Sequence, residues 1–252
     1  MDAVLLQRLA QITEEERELL QGRGVDRALY ASGRAFEVDA AKMLEKGKLM
    51  SIRPHTRFAP FPRHSHNYVE IMYMCRGKTV HRIDGDALVT LEAGELLFLN
   101  RHASHAIQRA DAGDIAVNFI VLPQFFDEAF NMAGMDNVLS RFLLGELYTG
   151  GAAVSYLHFR VREVLPVQNL VENMVWTLVN RQPGARRINQ VTMGLLLLQL
   201  MHYTECIDMS RNGSIRSPMV EAALREIEEN YRAASLTDVA AAFHVGLPYL
   251  SA

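Results

Sequence analysis

The densest group of chemically versatile side chains in this sequence lies between Arg63 and Glu70. If this stretch forms one β-strand, His64, His66 and Glu70 point to the same side, because successive side chains of a strand alternate between its faces. Two imidazoles and a carboxylate on one face are ligands for Fe, Mn, Ni or Zn. His105, at the start of a later predicted strand, offers a fourth candidate metal ligand.

The same side chains can instead line a pocket that holds no metal. Imidazole and carboxylate groups donate and accept hydrogen bonds to a small polar metabolite such as a sugar or an acid. The guanidinium of Arg57, near the strand, can pair with an anionic effector. The predicted effector pocket comprises Arg57, His64, His66, Tyr68, Glu70, Met72 and His105. We expect this pocket to need no cofactor, with a divalent metal at His64, His66, Glu70 and His105 as the alternative.

The elements that position these side chains are predicted from short stretches in which apolar and polar residues alternate, separated by turn residues. They predict β-strands at 49–58, 67–75, 78–84, 87–91, 95–99, 105–109 and 115–122. Asp84-Gly85 favours a tight hairpin, and the turns 92–94 and 111–114 favour further reversals. Consecutive hairpins without helices between them are typical of an antiparallel jelly-roll barrel. His55, His81 and His102 are interpreted as rim or surface residues of this barrel, and no role is predicted for them.

Helical patterns flank the predicted strands, so the fold class is α+β. Residues 1–48 predict short helices, with Thr13 and Glu16 as a capping box, and form an N-terminal arm. One apolar stripe runs from Val167 to Leu178, and a second long helix is predicted from Ile188 to Ile207. The second helix is apolar around much of its circumference, which fits either a homodimer seam or burial within its own subunit.

Composition excludes several other classes of protein. Apolar residues make up 49% and charged residues 22%, which is typical of a folded globular chain. The spacing of Cys75 and Cys206 is not that of a disulfide framework or a zinc site. The sequence does not open with the pattern of a leader peptide. No apolar run reaches the ~20 residues of a membrane span. We therefore expect a cytoplasmic protein with no membrane partner. The net charge of −3 provides no global basic field for nucleic acid.

Two motifs identify a resemblance to the cupins. The spacing His64-x-His66-x3-Glu70-x6-Gly77 is similar to the first cupin motif, and the segment leading to His105 resembles the second. The resemblance implies a cupin-like β-barrel. In cupins with the full pattern, the positions that match His64, His66, Glu70 and His105 carry the metal.

The last residues resemble the start of the DNA-binding domain of AraC/XylS-type transcriptional regulators. Leu236–Ala240 is similar to the scaffold helix of the family's first helix-turn-helix, and Tyr249–Ser251 to the beginning of its recognition helix. This resemblance implies an AraC-type regulator with an N-terminal cupin-like sensor and a DNA-binding domain truncated at Ala252. The residues that it implies for DNA contact are Gly246, Leu247, Pro248, Tyr249 and Ser251. We expect DNA binding only by the intact protein.

Four parts follow from this interpretation: an arm at 1–48, a barrel at 49–123, a helical dimerisation segment at 124–212 and the truncated helix-turn-helix domain at 216–252. The leading hypothesis is a ligand-responsive regulator that is not an enzyme, binds a small polar effector and forms a homodimer. The alternative is a metal-dependent cupin enzyme, an oxygenase or isomerase. A third hypothesis is a truncated product that dimerises with full-length partners without binding DNA itself.

Overall fold

Two β-sheets form the frame of the computed structural model, which describes residues 1–149 and 152–209. The five-stranded sheet has the order β1-β3-β8-β5-β6 and the six-stranded sheet the order β13-β12-β7-β4-β9-β2. The strands of the first sheet are β1 (Glu37–Val38), β3 (Phe61–His66), β5 (Lys78–Ile83), β6 (Ala87–Glu92) and β8 (Ser104–Ile107). Those of the second are β2 (Met50–Pro54), β4 (Val69–Arg76), β7 (Leu96–Leu99), β9 (Ile115–Val121), β12 (Tyr156–Phe159) and β13 (Ile207–Met209). A separate hairpin joins β10 (Tyr148–Thr149) to β11 (Ala152–Ala153).

The predicted turns form where the local chemistry allows them. Asp84 and Gly85 both adopt positive φ, at 50° and 93°, and join β5 to β6 in an antiparallel hairpin. Gly94 has φ of 84° between β6 and β7, and a Cβ there would lie 2.9 Å from the Cα of Arg162. Glycine is therefore needed at this position both for its conformation and for the close approach of another backbone. The third predicted reversal is closed by a hydrogen bond from the Asp114 amide to the Asp111 carbonyl.

Helices pack against the sheets and against one another. They are α1 (Ala3–Leu9), α2 (Glu14–Leu20), α3 (Ala40–Met43), α4 (Asp127–Ala133), α5 (Val138–Leu144), α6 (Leu165–Val179) and α7 (Ala185–Leu200). The predicted capping box is confirmed, since Thr13 and Glu16 exchange side-chain to backbone hydrogen bonds at the start of α2. Helix α1 contacts β9, helix α6 contacts β2, and α7 packs against both α4 and α6. None of the helices in the described ranges has the length and apolar character of a membrane span.

Two predictions about the bounds of the helices and sheets are wrong. The second long helix ends at Leu200 rather than Ile207, because a 3-10 turn at 201–206 leads into strand β13. The sheets also extend beyond the predicted barrel range of 49–123, since β12 pairs with β7, β13 pairs with β12, and β1 pairs with β3. Without β12, the outer backbone edge of β7 would lack partners. Periodicity misses these strands because they are only two to four residues long.

The predicted single strand through His64 and Glu70 is also wrong. The chain leaves β3 after His66, bends at Asn67 and Tyr68, and enters β4 at Val69. Strands β3 and β4 belong to different sheets. These side chains therefore meet because the two sheets face each other, and not because residues 64–70 alternate along one strand.

Candidate functional site

A compact set of three potential ligands joins the two sheets inside the barrel. His64 on β3 lies directly across from His105 on β8, with their ring centroids 4.3 Å apart. Glu70 reaches the same place from β4 of the opposite sheet. One ligand atom from each of these three buried residues lies within 4.8 Å of the others.

His66, the fourth predicted ligand, lies at the edge of this group. Its Nε2 is 3.9 Å from Glu70 Oε2, whereas His105 Nε2 is 3.4 Å from the same oxygen. Its Nδ1 is 3.0 Å from the carbonyl oxygen of Tyr68, which orients the ring. The structure thus brings all four predicted residues together, with His64, Glu70 and His105 as the tightest set.

Several buried polar atoms in this group have no hydrogen-bond partner within the described chain. They include Nε2 of His66, Oε2 of Glu70 and both ring nitrogens of His105. The other oxygen of Glu70 accepts a hydrogen bond of 2.9 Å from Asn118 Nδ2. An unsatisfied buried polar group costs about 1–3 kcal/mol, so such a concentration is typical of a site that receives a ligand.

Burial keeps the imidazoles of the site neutral at pH 7. It lowers the pKa of His64 to about 3, with the neighbouring His105 adding to the effect. Burial likewise lowers the pKa of His66 to about 4, although Glu70 opposes it, and the pKa of His105 to about 3. A neutral imidazole has a free lone pair, which can accept a hydrogen bond or bind a cation.

The cavity beside this group is small. Its volume is about 40 Å³, and a buried water needs roughly 10–15 Å³ by this kind of measure. The cavity therefore has room for a few water molecules, whereas pockets for larger organic ligands measure about 300–1,000 Å³. Its lining residues are Tyr30, Val38, Met43, Arg53, Pro54, His55, Thr56, Phe61, His64, Tyr68, Glu70, Ile107, Asn118 and Ile120.

The N-terminal arm forms part of the cavity wall through Tyr30, Val38 and Met43. The Tyr30 hydroxyl donates to the Glu15 carboxylate, with oxygen distances of 2.6 and 2.7 Å. Burial raises the pKa of Tyr30 to about 12, so the hydroxyl remains a donor. The guanidinium of Arg53 lies over the Tyr30 ring, 5.0 Å from its centroid.

Arg57 does not line this cavity, so its predicted place in the effector pocket is wrong. Its Nε and Nη2 donate to the two carboxylate oxygens of Glu16 at 2.6 and 2.8 Å, and both residues are buried. Further guanidinium hydrogen bonds reach the carbonyl oxygens of Ala10, Gln11 and Ala112. Three of these partners, Glu16, Ala10 and Gln11, belong to the arm, so this guanidinium fastens the arm to the barrel. The arginine that lines the cavity is Arg53.

The other residues discussed from the sequence lie at different depths in the barrel. Tyr68 lines the cavity as predicted, whereas Met72 packs deeper, in an apolar cluster with Met74 and Leu97. His55 and His81, interpreted from sequence as rim or surface residues, are 4% and 0% exposed. Alternation along β5 could have indicated His81, because Lys78 and Arg82 on the other parity are exposed.

The predicted DNA-contacting residues, Gly246, Leu247, Pro248, Tyr249 and Ser251, lie outside the described part of the chain. The same holds for the whole predicted helix-turn-helix domain at 216–252. These predictions therefore remain predictions.

Two antiparallel-rich sheets that enclose a small polar site agree with the cupin-like barrel that the sequence motifs imply. The family model of the AraC-like ligand binding domain matches residues 51–130. The match confirms the resemblance to AraC-type regulators that the sequence motifs indicate. No curated protein sequence matches the chain.

Solved structures of regulators and cupins resemble the chain at low identity. An apo ToxT variant from Vibrio cholerae strain SCE256 is 10% identical, with a TM-score of 0.47, over 82% of this chain and 75% of that one. The AraC-like transcriptional activator CuxR is 12% identical, with a TM-score of 0.33, over 72% and 58% of the two chains. A cupin protein from Bacteroides fragilis is 28% identical, with a TM-score of 0.25, over 29% of this chain and 64% of that one.

Proposed function

We propose that this chain is the sensing and dimerisation part of a ligand-responsive transcription regulator of AraC type, and that it is not an enzyme. The carrying observation is that the segment matching the AraC-like ligand binding domain encloses a cavity with unpartnered polar atoms. DNA binding, in the cytoplasm, is assigned to the intact protein.

The effector that fits this cavity is small and polar. The walls offer a carboxylate at Glu70, an amide at Asn118, a guanidinium at Arg53 and neutral imidazole at His64. These groups can bind hydroxyl, amide or carboxyl groups of a metabolite. The apolar side chains Phe61, Ile107 and Ile120 supply the remaining wall.

Arm movement supplies a mechanism for signalling. A ligand larger than a few water molecules enters only if Tyr30, Val38 or Met43 moves, because these arm residues close the cavity of about 40 Å³. Effector binding then favours one arrangement of the arm over another. The shift is limited by the difference in effector affinity between the two arrangements.

The test is isothermal titration calorimetry of the full chain with sugars, hydroxy acids and amino acids. We expect saturable binding by one class, and we expect Glu70→Gln to weaken it about tenfold or more, because a hydrogen bond to a charged group contributes about 1.5–3 kcal/mol. Glu163→Gln, at an exposed site, is the matched control and should bind normally. Absence of binding by all three classes, or full affinity in folded Glu70→Gln, would contradict the sensing role.

We also propose that α7 forms the homodimer contact with a second copy of the chain. Ile188, Val191 and Leu195 follow one another at helical spacing on α7, and Val191 and Leu195 are 37% and 43% exposed. Trp176 on the adjoining α6 is 48% exposed. Large apolar side chains grouped in this way are typical of a protein interface.

Analytical ultracentrifugation tests the dimer. The wild-type chain should sediment as a dimer at micromolar concentration, and Leu195→Glu should sediment as a folded monomer. Leu88→Glu changes a side chain that is 58% exposed on β6 and should remain dimeric. A monomeric wild type, or a dimeric Leu195→Glu variant, would contradict the assignment of the dimer contact to α7.

The second candidate function is a metal-dependent cupin enzyme, favoured by the close approach of His64, Glu70 and His105. The neutral imidazoles and the free carboxylate oxygen fit a divalent cation, with His66 beside them. Such a metal would supply Lewis-acid or oxygen chemistry when bound. Elemental analysis of the purified chain distinguishes the two functions: stoichiometric metal that is lost in His105→Ala favours the enzyme, and a metal-free chain that binds effector favours the sensor.

A further inference from the structure

We propose that a second cleft, outside the barrel, binds a small organic anion that also carries a hydroxyl or amide group. The cleft lies where residues 43–52 face the loop between α6 and α7, and its volume is about 480 Å³. This volume is within the range of about 300–1,000 Å³ for sites that bind small organic ligands. The site is distinct from the barrel cavity and extends beyond the proposed sensor function.

The rim of the cleft is basic. Lys46 and Lys48 lie on one side, and Arg181 and Arg186 lie on the other. Glu45 is the single acidic side chain among its lining residues, and its carboxylate is 3.6 Å from Arg181 Nη2. An excess of positive charge around a concave surface attracts anions and accelerates their binding.

The start of α7 adds to this preference for an anion. The helix has sixteen residues, and its N-cap is Gly184, so no side chain accepts a hydrogen bond from the first-turn amides. Backbone carbonyl oxygens accept the amides of Ala185, Arg187 and Ile188, so the helix dipole is what places partial positive charge at this end of the helix. Carboxylate and phosphate groups are bound at such helix ends in other proteins.

Asn189 is the independent observation that indicates a ligand. It lines the cleft one turn into α7, it is 1% exposed, and its Oδ1 has no hydrogen-bond partner. A buried carbonyl oxygen without a partner costs free energy that a ligand hydroxyl or N–H group can recover. The ligand therefore needs a hydrogen-bonding group about one helical turn away from its anionic group.

Apolar side chains form the rest of the cleft wall. An organic anion therefore fits the cleft better than a purely inorganic ion does. Ile52, Phe125 and Leu178 form part of the wall. Inorganic phosphate can engage the basic rim but covers none of this apolar surface. A hydroxy acid or a sugar phosphate combines an anionic end with a carbon skeleton and hydroxyl groups, and so matches all three features.

Calorimetry with citrate, glucose 6-phosphate and inorganic phosphate tests the proposal on the full chain. We expect saturable binding of at least one organic anion, with weaker binding of inorganic phosphate. Lys48→Glu and Arg186→Glu should each weaken binding about tenfold or more, whereas Arg82→Glu, an exposed control on β5, should have no effect. Absence of saturable binding by both organic anions, or full affinity in both charge-reversed cleft variants, overturns the proposal.

Asn189 requires a nearly isosteric variant, because a change of volume could disturb α7. Asn189→Asp keeps the shape but places a negative charge beside the anion, so we expect it to weaken binding more than Asn169→Asp at an exposed site on α6. Circular dichroism verifies that both variants fold. Equal affinity in the two folded variants would overturn the assignment of Asn189. His105→Ala should leave binding of the organic anion unchanged. Loss of binding in this variant would place the anion in the barrel cavity instead.

Discussion

Replacing Glu16 with glutamine should release the arm from the barrel. The Glu16 carboxylate accepts hydrogen bonds from the backbone N–H, Nε and Nη2 of Arg57, at 3.1, 2.6 and 2.8 Å. It also accepts a bond of 2.9 Å from the Thr13 amide. Glu16→Gln removes the negative charge and leaves the buried guanidinium without its counter-ion.

The structure sets the expected magnitude. Glu16 and Arg57 are 1% and 3% exposed, so solvent screens their interaction only weakly. Breaking a buried ion pair by changing one partner costs about 3–5 kcal/mol. Three carbonyl oxygens still accept hydrogen bonds from Arg57 after the change, so we expect Glu16→Gln to lower the free energy of unfolding by about 3 kcal/mol, the lower end of this range.

Urea unfolding of the full chain measures this loss. The control is Glu18→Gln on the same helix, because Glu18 pairs with Arg23 at an exposed position and surface pairs contribute less than about 1 kcal/mol. A double-mutant cycle with Arg57→Met should give a coupling free energy of about 1–3 kcal/mol. Equal effects of the two glutamine variants, or additive effects in the cycle, would refute the role of this pair.

Acid titration provides an independent check of the same pair. Burial alone would raise the pKa of Glu16, but the hydrogen bonds from Arg57 and Thr13, with the charge of Arg57, lower it below its ordinary value of 4.5. A carboxyl whose pKa is lower in the folded state stabilises the fold above the unfolded-state pKa, and this contribution is lost as the pH falls through the folded-state pKa. Below pH 4.5, wild type should therefore lose more stability than Glu16→Gln.

Three further predictions concern the six-stranded sheet and the turn before β7. Gly94→Ala should lower the free energy of unfolding by at least about 1 kcal/mol in urea denaturation, because φ is 84° and the new Cβ meets the backbone of Arg162. Glu95→Gln should lower the free energy of unfolding by about 2 kcal/mol or more, because His158 and Arg162 both donate to this buried carboxylate. The same urea assay measures this loss. A loss smaller than that of Glu163→Gln would be inconsistent with the pairing. Burial raises the pKa of Cys75 to about 12, so alkylation at pH 8, followed by peptide mass mapping, should be about 100-fold slower than for free cysteine.

The sequence determined the features that depend on local chemistry. Alternating apolar residues predicted the strands from β5 to β9, because side chains of a strand alternate between the interior and the outside. Of the predicted consecutive hairpins among these strands, only β5–β6 forms, since the connections from β6 to β9 cross between the two sheets. Asp84-Gly85 and the Thr13–Glu16 capping box formed as predicted, because each depends on backbone groups within a few residues. Residue types and spacing also selected His64, His66, Glu70 and His105 before any geometry was known.

Only the tertiary structure decided how these groups combine. His64 and Glu70 meet because β3 and β4 lie in facing sheets, and a crossover at 67–68 has no periodic signal. Arg57 pairs with a residue 41 positions earlier in the chain, so its sequence neighbours gave no sign that the arm holds it. Strand β12 pairs with the edge of β7, and β13 pairs with β12, so that their backbone groups are hydrogen-bonded. This pairing depends on distant chain segments rather than on side-chain pattern. Local propensity acts within a few residues, whereas burial and pairing are decided by segments that only the folded chain brings together.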